Sequence, residues 1–270
     1  MLSFPNAKIN LGLNIIEKRK DGFHNLESCF YPVPWHDVLE IVPSQKLSFQ
    51  ITGLEIPGDP MENLCLKAYR LLAEDFDLEP VSIHLHKIIP MGAGLGGGSS
   101  DAAATLKLLN QLFTLDLDEE TLAGYASEIG SDCAFFIKNA ATLAHGKGDQ
   151  FLKITINLAE KYLVLVYPNI HVNTAVAYSG IIPQKPSHGI AKIIENEPLS
   201  SWKDQLTNDF EHGIFKQHPS LTHIKATLYQ LGAAYASMSG SGSALFGLFE
   251  QMPQLPEEFD NYLVWKGQLS

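Results

Sequence analysis

The chain has 270 residues, of which 45% are hydrophobic and 18% are charged, so its composition favours a folded core over disorder. Its formal net charge is -11 and no basic stretch opposes it, which excludes nucleic acid and anionic membranes as expected partners. The three cysteines have neither CxxC nor zinc-site spacing, and no signal-like segment or membrane-length apolar run is visible. We therefore expect a cytoplasmic protein.

The N-terminal half alternates between strand-like and helix-like patterns. Apolar residues at every second position predict a strand over residues 9–15, which places Lys8 and Asn10 on one face. Asp116 and Glu119 have the spacing of a capping box at the start of a helix. The same patterns predict further strands at 38–42, 47–52 and 81–88, and helices at 63–76, 102–113 and 119–129.

The C-terminal half continues this alternation. A buried-type strand is predicted at residues 162–167, and an amphipathic helix at 221–231 ends at Gly232. Two short strands flank a turn of serines and glycines at residues 239–243. Strands and helices in unequal clusters indicate an α+β protein of two domains. We place these domains at residues 1–155, which carry the nucleotide-binding elements, and at residues 156–270.

The most informative segment is a glycine-rich loop at residues 90–100, with the sequence PMGAGLGGGSS. Glycines let backbone amides approach a ligand closely, and successive outward amides form a concave anion site. The predicted helix behind the loop adds its dipole and its unpaired N–H groups. The natural ligand of such a loop is a phosphate chain, so the sequence indicates a nucleotide-binding protein.

Three other interpretations of this loop were weighed. A Walker A loop requires a lysine after its last glycine, and none stands there. Residues 92–97 do satisfy the GxGxxG pattern of dinucleotide-binding folds, and Asp116 and Asp118 follow about 20 residues later. That motif should follow the first strand of its fold, whereas several elements precede it here. A plain flexible turn is the third alternative, but the direct run into a helix favours anion binding.

Three segments, in the same chain order, resemble those of the GHMP kinases, the superfamily of galactokinase, homoserine kinase and mevalonate kinase. They are residues 5–11 (PNAKINL), the loop at 90–100, and residues 238–244 (MSGSGSA). Further segments resemble the subgroup that phosphorylates 4-diphosphocytidyl-2-C-methyl-D-erythritol: residues 21–26 (DGFHNL), 62–64 (ENL), 130–133 (GSDC) and 208–211 (NDFE). Two positions depart from that pattern, because Phe23 replaces the commoner tyrosine and Cys133 a frequent valine.

The resemblance implies a two-domain GHMP kinase fold with its active site in the interdomain cleft. It implies transfer of a phosphoryl group from ATP to the 2-hydroxyl of that cytidine-diphosphate-linked alcohol, in the non-mevalonate route to isoprenoid precursors. The alternatives are another small-alcohol kinase, such as a mevalonate or homoserine kinase, and a nucleotide-binding relative without turnover. The expected partner is the small-molecule substrate, and the chain is expected to be a monomer or homodimer.

The resemblance also implies roles for individual residues. Asp132 is the expected general base, and Lys8 is expected to keep it ionised and to stabilise the nascent alkoxide. Ser100 is the expected Mg²⁺ ligand. The residues expected to contact ATP are Pro90, Met91, Gly92, Ala93, Gly94, Leu95, Gly96, Gly97, Gly98, Ser99 and Ser100, with Asn63 and Lys87 on the adenine side. Those expected to contact the acceptor are Asn10, Phe23, His24, Phe30, Thr174 and Tyr178.

Overall fold

The computed structural model describes residues 1–186 and 188–269. Its strands are β1 (Leu2–Ser3), β2 (Asn6–Lys18), β3 (His24–His36), β4 (Val38–Pro43), β5 (Ser48–Gly53), β6 (Val81–Lys87), β7 (Thr142–His145), β8 (Gln150–Lys153), β9 (Tyr162–Tyr167), β10 (Tyr235–Met238), β11 (Leu245–Phe249) and β12 (Leu263–Gln268). Its helices are α1 (Leu64–Asp75), α2 (Gly97–Leu112), α3 (Glu119–Ile129), α4 (Cys133–Lys138), α5 (Thr174–Ser179), α6 (Ile190–Asn196), α7 (Asp209–Gln217) and α8 (Pro219–Gln230). Short 3-10 helices lie at Pro60–Glu62, Leu199–Asp204 and Glu257–Asn261.

The periodic segments fold as predicted, with ends within a few residues of those expected, except at the start of α2. This helix begins at Gly97 instead of residue 102, so both serines of the loop lie in its first turn. The predicted capping box is also wrong. The N-cap of α3 is Asp118, whose side chain accepts a hydrogen bond from the amide of Thr121. Asp116 has a φ of +55°, which is the left-handed region and not the extended conformation of an N-cap.

The chain divides into two compact units, each built from several segments. The first comprises residues 1–7, 35–91 and 96–140, and the second comprises residues 8–34, 92–95 and 141–270. The middle of the glycine-rich loop thus groups with the second unit, whereas its two ends group with the first. The boundary near residue 155 stays a prediction for the limits of independently folding domains.

The first unit places helices against a mixed sheet. Its strand order is β1-β4-β6-β5, in which β5 and β6 run parallel and the other neighbours are antiparallel. α2 packs against β4 and also contacts α1, α3 and α4. Its run of small residues, Ala102 to Ala104, is buried. This packing fixes the start of α2 behind the glycine-rich loop.

The second unit contains two sheets, with strand orders β2-β3-β7-β8 and β10-β11-β9-β12. α8 packs on β10 and β11. The apolar core joins alternate residues of the central strand, such as Val164 and Val166, to the helix residues Leu221, Ile224 and Leu228. The turn at residues 239–243 connects β10 to β11, so this core holds both strands that support it.

Within the described ranges, no helix combines the length and apolar character that crossing a bilayer requires.

Candidate active site

The glycine-rich loop leaves β6 and enters α2 through backbone conformations that favour glycine. Gly92, Gly94 and Gly96 have φ values of +64°, +78° and +70°. Gly96 is the N-cap of α2, and no side chain caps the helix there. The amides of the first turn therefore keep donors and a positive end of the helix dipole for a ligand. This is the geometry that the sequence predicts for an anion site.

Gly94 lies where the loop meets the turn at residues 239–243. A Cβ atom at Gly94 would stand 1.9 Å from the carbonyl oxygen of Ser239, so no larger residue fits without a shift of the backbone. The Ser239 hydroxyl donates a 2.7 Å hydrogen bond to the carbonyl of Gly94. The amide of Ala244 donates to the carbonyl of Ala93 at 3.1 Å. Residues 92–95 and this turn are thus held together by backbone contacts within the second unit.

The two loop serines differ in exposure. Ser99 is half-buried, whereas Ser100, the predicted Mg²⁺ ligand, is 3% exposed. Burial raises the pKa of the Cys133 thiol to about 11, and the side chain of Ser99 opposes this rise. Cys133 is therefore a protonated, buried packing residue beside the loop and not a reactive thiolate.

Three ionisable side chains lie buried behind the loop. The ammonium of Lys87 contacts the carboxylates of Asp37 and Asp101, the latter at 2.8 Å. Burial raises the pKa of Asp101 to about 7; the Lys87 ammonium opposes this rise, whereas the Asp37 carboxylate adds to it. The other oxygen of Asp101 has no hydrogen-bond partner among the described residues. Burial alone would lower the pKa of Lys87, but the two carboxylates outweigh this and raise it. Lys87 therefore stays charged between them.

This arrangement changes the interpretation of Lys87. The sequence predicts a lysine that contacts ATP on the adenine side, but the side chain of Lys87 is 0% exposed and its ammonium is engaged by carboxylates. It lies beneath the start of α2 instead, since a Cβ atom on Gly97 would come within 2.9 Å of its Nζ. No local pattern reveals this, because Asp37 is 50 residues away in the chain.

A cavity of about 190 Å³ opens beside the loop within the first unit. Asn63, expected on the adenine side, lines it, and its side-chain oxygen also caps α1 by accepting from the amide of Cys65 at 2.9 Å. The loop contributes Met91 and Gly98 to the same wall. The remaining lining residues are Ile51, Ile56, Pro57, Gly58, Asp59, Pro60, Glu62, Leu64 and Asp101.

Lys8 and Asn10 lie on one face of β2, as the alternation predicts. The Lys8 ammonium donates a 2.6 Å hydrogen bond to the side-chain oxygen of Asn10 and stands 4.5 Å from the centroid of the Phe30 ring. The Asn10 amide donates to the hydroxyl of Ser28 at 2.8 Å. Lys8, Asn10 and Phe30 are all buried, at 3%, 2% and 3% exposure, so Asn10 and Phe30 pack closely around the Lys8 ammonium.

Asp132 is half-buried at the N-cap position of α4. Its side chain makes no capping hydrogen bond to that helix. A role for this carboxylate as the side-chain cap of α4 is therefore excluded. Among residues 1–186 and 188–269, no three or more His, Cys, Asp or Glu side chains form a cluster able to hold a metal ion.

Several predicted acceptor-binding residues come together in the second unit. The rings of His24 and Tyr178 stack at 5.0 Å with an interplanar angle of 21°. Burial lowers the pKa of His24, and Lys18 adds to this, so the imidazole is held in its neutral form. Thr174 shares a 3.1 Å hydrogen bond with Ser241 of the turn. Phe23 is 59% exposed, with the Lys147 ammonium 5.1 Å from its ring centroid.

Two important residues were not predicted as functional. Asn208 is buried and donates 2.8 Å hydrogen bonds to the carbonyls of Met238 and Gly240, which fixes the turn. Glu211 accepts from the amide of Met238 at 2.8 Å. Both belong to the NDFE segment at residues 208–211. The family resemblance of this segment is the sequence feature that could have identified them.

Comparisons with known proteins identify the family. The model for the GHMP kinases N terminal domain matches residues 63–140, and the model for the GHMP kinases C terminal region matches residues 190–260. A 4-diphosphocytidyl-2-C-methyl-D-erythritol kinase of Cytophaga hutchinsonii is 53% identical, over 94% of each chain. One of Bacteroides thetaiotaomicron is 51% identical over the full length of both chains. The chain belongs to this family.

Solved structures agree with this family assignment. The crystal structure of a 4-(cytidine 5'-diphospho)-2C-methyl-D-erythritol kinase gives a TM-score of 0.82 at 30% identity, covering 99% of this chain and 98% of the other. The mevalonate kinase of Methanococcus jannaschii gives a TM-score of 0.70 at 16% identity, which shows the fold alone. The prediction of a two-domain α+β GHMP kinase is confirmed, and the dinucleotide-binding alternative is wrong.

Proposed function

We propose that this chain transfers the γ-phosphoryl group of ATP to the 2-hydroxyl of 4-diphosphocytidyl-2-C-methyl-D-erythritol. The observation that carries the phosphoryl-transfer chemistry is the uncapped start of α2 behind three glycines of positive φ. Full-length relatives named for this kinase support the choice of acceptor. The same names support its place in the non-mevalonate route to isoprenoid precursors.

The loop at residues 90–100 is proposed to bind the triphosphate. Phosphoryl transfer depends mainly on positioning and on neutralising charge, and fixed amides at a helix N-terminus supply both without reorganisation. With a formal net charge of -11, the chain has no general attraction for an anion. Local donors must therefore provide the affinity for ATP.

The cavity beside the loop is proposed to take the adenine base. Its floor is apolar where Ile51, Ile56 and Leu64 line it, and Asn63 supplies a polar group at one side. A planar base needs apolar contact on its faces and few hydrogen-bonding groups at its edge. Asn63 therefore keeps its predicted role, whereas Lys87 is reassigned from nucleotide contact to support of the loop.

Mg²⁺ is proposed to bind chiefly to the phosphates, with Ser100 as one protein ligand. Mg²⁺ commonly takes few protein ligands and fills its octahedron with phosphate oxygens and water. This suits a site where no three-member cluster of carboxylates, histidines or cysteines exists in the described ranges. When bound, the ion neutralises charge that develops on the transferred phosphoryl group.

Asp132 is proposed as the general base that takes the proton of the acceptor hydroxyl. Its carboxylate is half-buried and does not cap its own helix, and a positioned carboxylate can accept a proton from a substrate hydroxyl. Lys8 is proposed to stabilise the alkoxide as it forms. The ammonium is oriented by Asn10 and packed on Phe30, and this fixed position costs nothing at the moment of reaction.

His24, Tyr178, Phe23 and Thr174 are proposed to bind the acceptor. A neutral imidazole has one donor and one acceptor nitrogen, which suits the amide-like edge of cytosine. Stacking of a base on an aromatic ring contributes about 1–3 kcal/mol, which the rings of Tyr178 and Phe23 can supply. Asn10 and Phe30 are proposed to contribute to the acceptor site through Lys8, whose ammonium they contact.

The test is a panel of alcohol acceptors with ATP and Mg²⁺, assayed on the purified chain and on Asp132→Asn. We expect turnover only with the cytidine-diphosphate-linked alcohol, and a loss of about 10²–10⁴-fold in kcat for Asp132→Asn with unchanged affinity for ATP. Asp77→Asn, which removes the same charge from an exposed site, is the matched control.

Preference for mevalonate or homoserine would replace the acceptor with that of another GHMP kinase. ATP binding without transfer to any acceptor would support a non-catalytic relative. Near-normal turnover by Asp132→Asn would remove this residue from the role of base.

A further inference from the structure

The side chains of Asp37, Lys87 and Asp101 form a buried charge cluster that connects the two ends of the glycine-rich loop. Lys87 is the last residue of β6, where the loop begins, and Asp101 lies in the second turn of α2, where the loop ends. The Lys87 ammonium donates to both carboxylates. One cation thus ties two points that are separated along the chain by the whole loop.

Asp37 secures the first of these ends a second time. Its Oδ1 accepts hydrogen bonds from the amides of Ile88 and Ile89, at 2.5 Å and 2.8 Å. These two residues are the first after β6. The carboxylate therefore fixes the direction in which the chain leaves the sheet, in addition to holding Lys87.

Gly97 shows how closely the cluster lies beneath the second end. A Cβ atom there would stand 2.9 Å from Lys87 Nζ and 3.0 Å from a methyl carbon of Ile89. The backbone of Gly97 has no positive φ, so steric space and not conformation requires glycine at this position. The first turn of α2 rests directly on the cluster.

The cluster is an expensive way to stabilise a core. Two carboxylates and one ammonium are removed from water, and one oxygen of Asp101 has no hydrogen-bond partner among the described residues. Buried ion pairs often contribute no more to stability than apolar side chains of the same volume, and their best-supported use is to specify one arrangement. Here the arrangement specified is the distance and angle between β6 and α2.

We propose that Asp37, Lys87 and Asp101 are positioning residues that hold the amides of the glycine-rich loop in the geometry that binds a triphosphate. The inference rests on the proposed function of this loop. None of the three is proposed to touch the nucleotide phosphates. Their effect is exerted through the ends of the loop and, for Asp101, also through the wall of the proposed adenine cavity, so its loss changes nucleotide affinity and leaves the acceptor site intact.

The decisive comparison is Asp101→Leu against Asp101→Asn. Both variants remove the same negative charge and leave Asp37 paired with Lys87, so electrostatic effects on an anionic ligand are matched. Asparagine keeps an oxygen that accepts from Lys87, whereas leucine removes the tie to α2. We expect Asp101→Leu to lower the affinity for a non-hydrolysable ATP analogue about tenfold or more, because small displacements of positioning groups have large effects. Asp101→Asn is expected to stay within about threefold of the unaltered chain.

Calorimetry with the ATP analogue and, separately, with the cytidine-diphosphate-linked alcohol gives the readout. A merely structural role would lower the melting temperature and reduce binding of both ligands in proportion to the unfolded fraction. A positioning role raises the Kd and KM for ATP alone, and amide hydrogen exchange becomes faster at residues 92–96. Gly97→Ala, which pushes on Lys87 from above, keeps the test decisive if the leucine variant does not fold, and the same selective loss is expected.

Equal affinity for the ATP analogue in Asp101→Leu, Asp101→Asn and the unaltered chain would overturn the proposal. Equal affinity in Gly97→Ala would do the same. These results differ from a failure of the proposed function, in which the unaltered chain itself would not bind the ATP analogue. The two conclusions are therefore separately falsifiable.

Discussion

The glycine-rich loop at residues 90–100 and the turn at residues 239–243 are both built from glycine and serine, but different forces support them. The ends of the loop rest on the buried charges of Asp37, Lys87 and Asp101. The turn is held mainly by neutral hydrogen bonds, from Asn208 to the carbonyls of Met238 and Gly240, and the Glu211 carboxylate also accepts from the amide of Met238. At the loop, the ammonium of one lysine fixes the arrangement of the chain. At the turn, several carbonyl groups share this role.

The two supports also differ in what can replace them. At the turn, the buried side-chain amide of Asn208 is hydrogen-bonded. Removing this amide is costly because the groups that it contacts lose a partner. In the charged cluster one Asp101 oxygen is already without a partner. We therefore expect Asn208→Ala to destabilise the protein more than Asp101→Asn does.

The largest effect is expected where the two regions touch, at Gly94. In Gly94→Ala the new methyl group would meet the Ser239 carbonyl at 1.9 Å, in a residue whose φ is +78°. Overpacking and backbone strain together should lower the free energy of unfolding by about 2–5 kcal/mol. Denaturant unfolding measures this change.

Gly124→Ala is the matched control for Gly94→Ala. Gly124 lies in α3 with no atom within 4 Å of an added Cβ, so alanine there should be neutral or should stabilise by about 0.5–1 kcal/mol. Equal stability of the two variants would show that the loop and turn do not depend on this contact.

Asn208→Ala should give the second largest effect. It removes the Asn208 donor from two buried carbonyls, of which that of Met238 keeps a 3.4 Å hydrogen bond from Ser237, at a cost of about 2–4 kcal/mol. Asn196→Ala, in which an exposed amide is lost from the end of α6, should cost less than about 0.5 kcal/mol. If Asn208→Ala proved no more destabilising than Asn196→Ala in the same denaturant assay, the hydrogen bonds of Asn208 would not be what holds the turn.

The sequence does not predict the side-chain contacts that hold the glycine-rich loop and the turn in place. Alternation and helical spacing locate most strands and helices, because those patterns report which side chains face a core. β3 was not predicted, and it contains Pro32 and Pro34, which ordinarily argue against a strand. The cluster behind the loop joins residues 50 and 14 positions apart, and nothing local in the chain marks such a pairing.

The start of α2 shows the same limit from the opposite direction. Glycines at 97 and 98 are poor helix formers, so the pattern places the helix start at Ala102. In the structure Gly97 is the first helical residue, because the cluster beneath leaves no room for a side chain. Tertiary packing overrides propensity here. By contrast, the motifs that carry the family resemblance are local, so the sequence alone indicates the loop, Lys8 and Asp132 as candidates, and their roles stay predictions.

Ser239→Ala sharpens the comparison at a smaller scale. The hydroxyl of Ser239 joins turn to loop by its 2.7 Å hydrogen bond to the carbonyl of Gly94. Loss of one neutral hydrogen bond should cost about 1 kcal/mol, less than the loss of Asn208. Ser179→Ala, at an exposed serine of α5, is the control and should change little. Stability loss in Ser239→Ala as large as that in Asn208→Ala would mean that the contact with Gly94 stabilises the turn as much as the hydrogen bonds of Asn208 do.

The smallest effect concerns His24. Its ring stacks on that of Tyr178, which packs edge-on against Phe210. Burial lowers the pKa of His24 in the folded chain below the ordinary histidine value of about 6.5, and Lys18 adds to this. The unfolded chain therefore binds the proton more readily, and stability falls as pH decreases through 6.5 toward the folded pKa. His24→Phe keeps an aromatic ring against Tyr178 but cannot titrate, so its unfolding free energy should decline less over that pH interval. Parallel pH curves for the two proteins would mean that His24 has the same proton affinity folded and unfolded, and would remove the argument for a neutral imidazole at the cytosine edge.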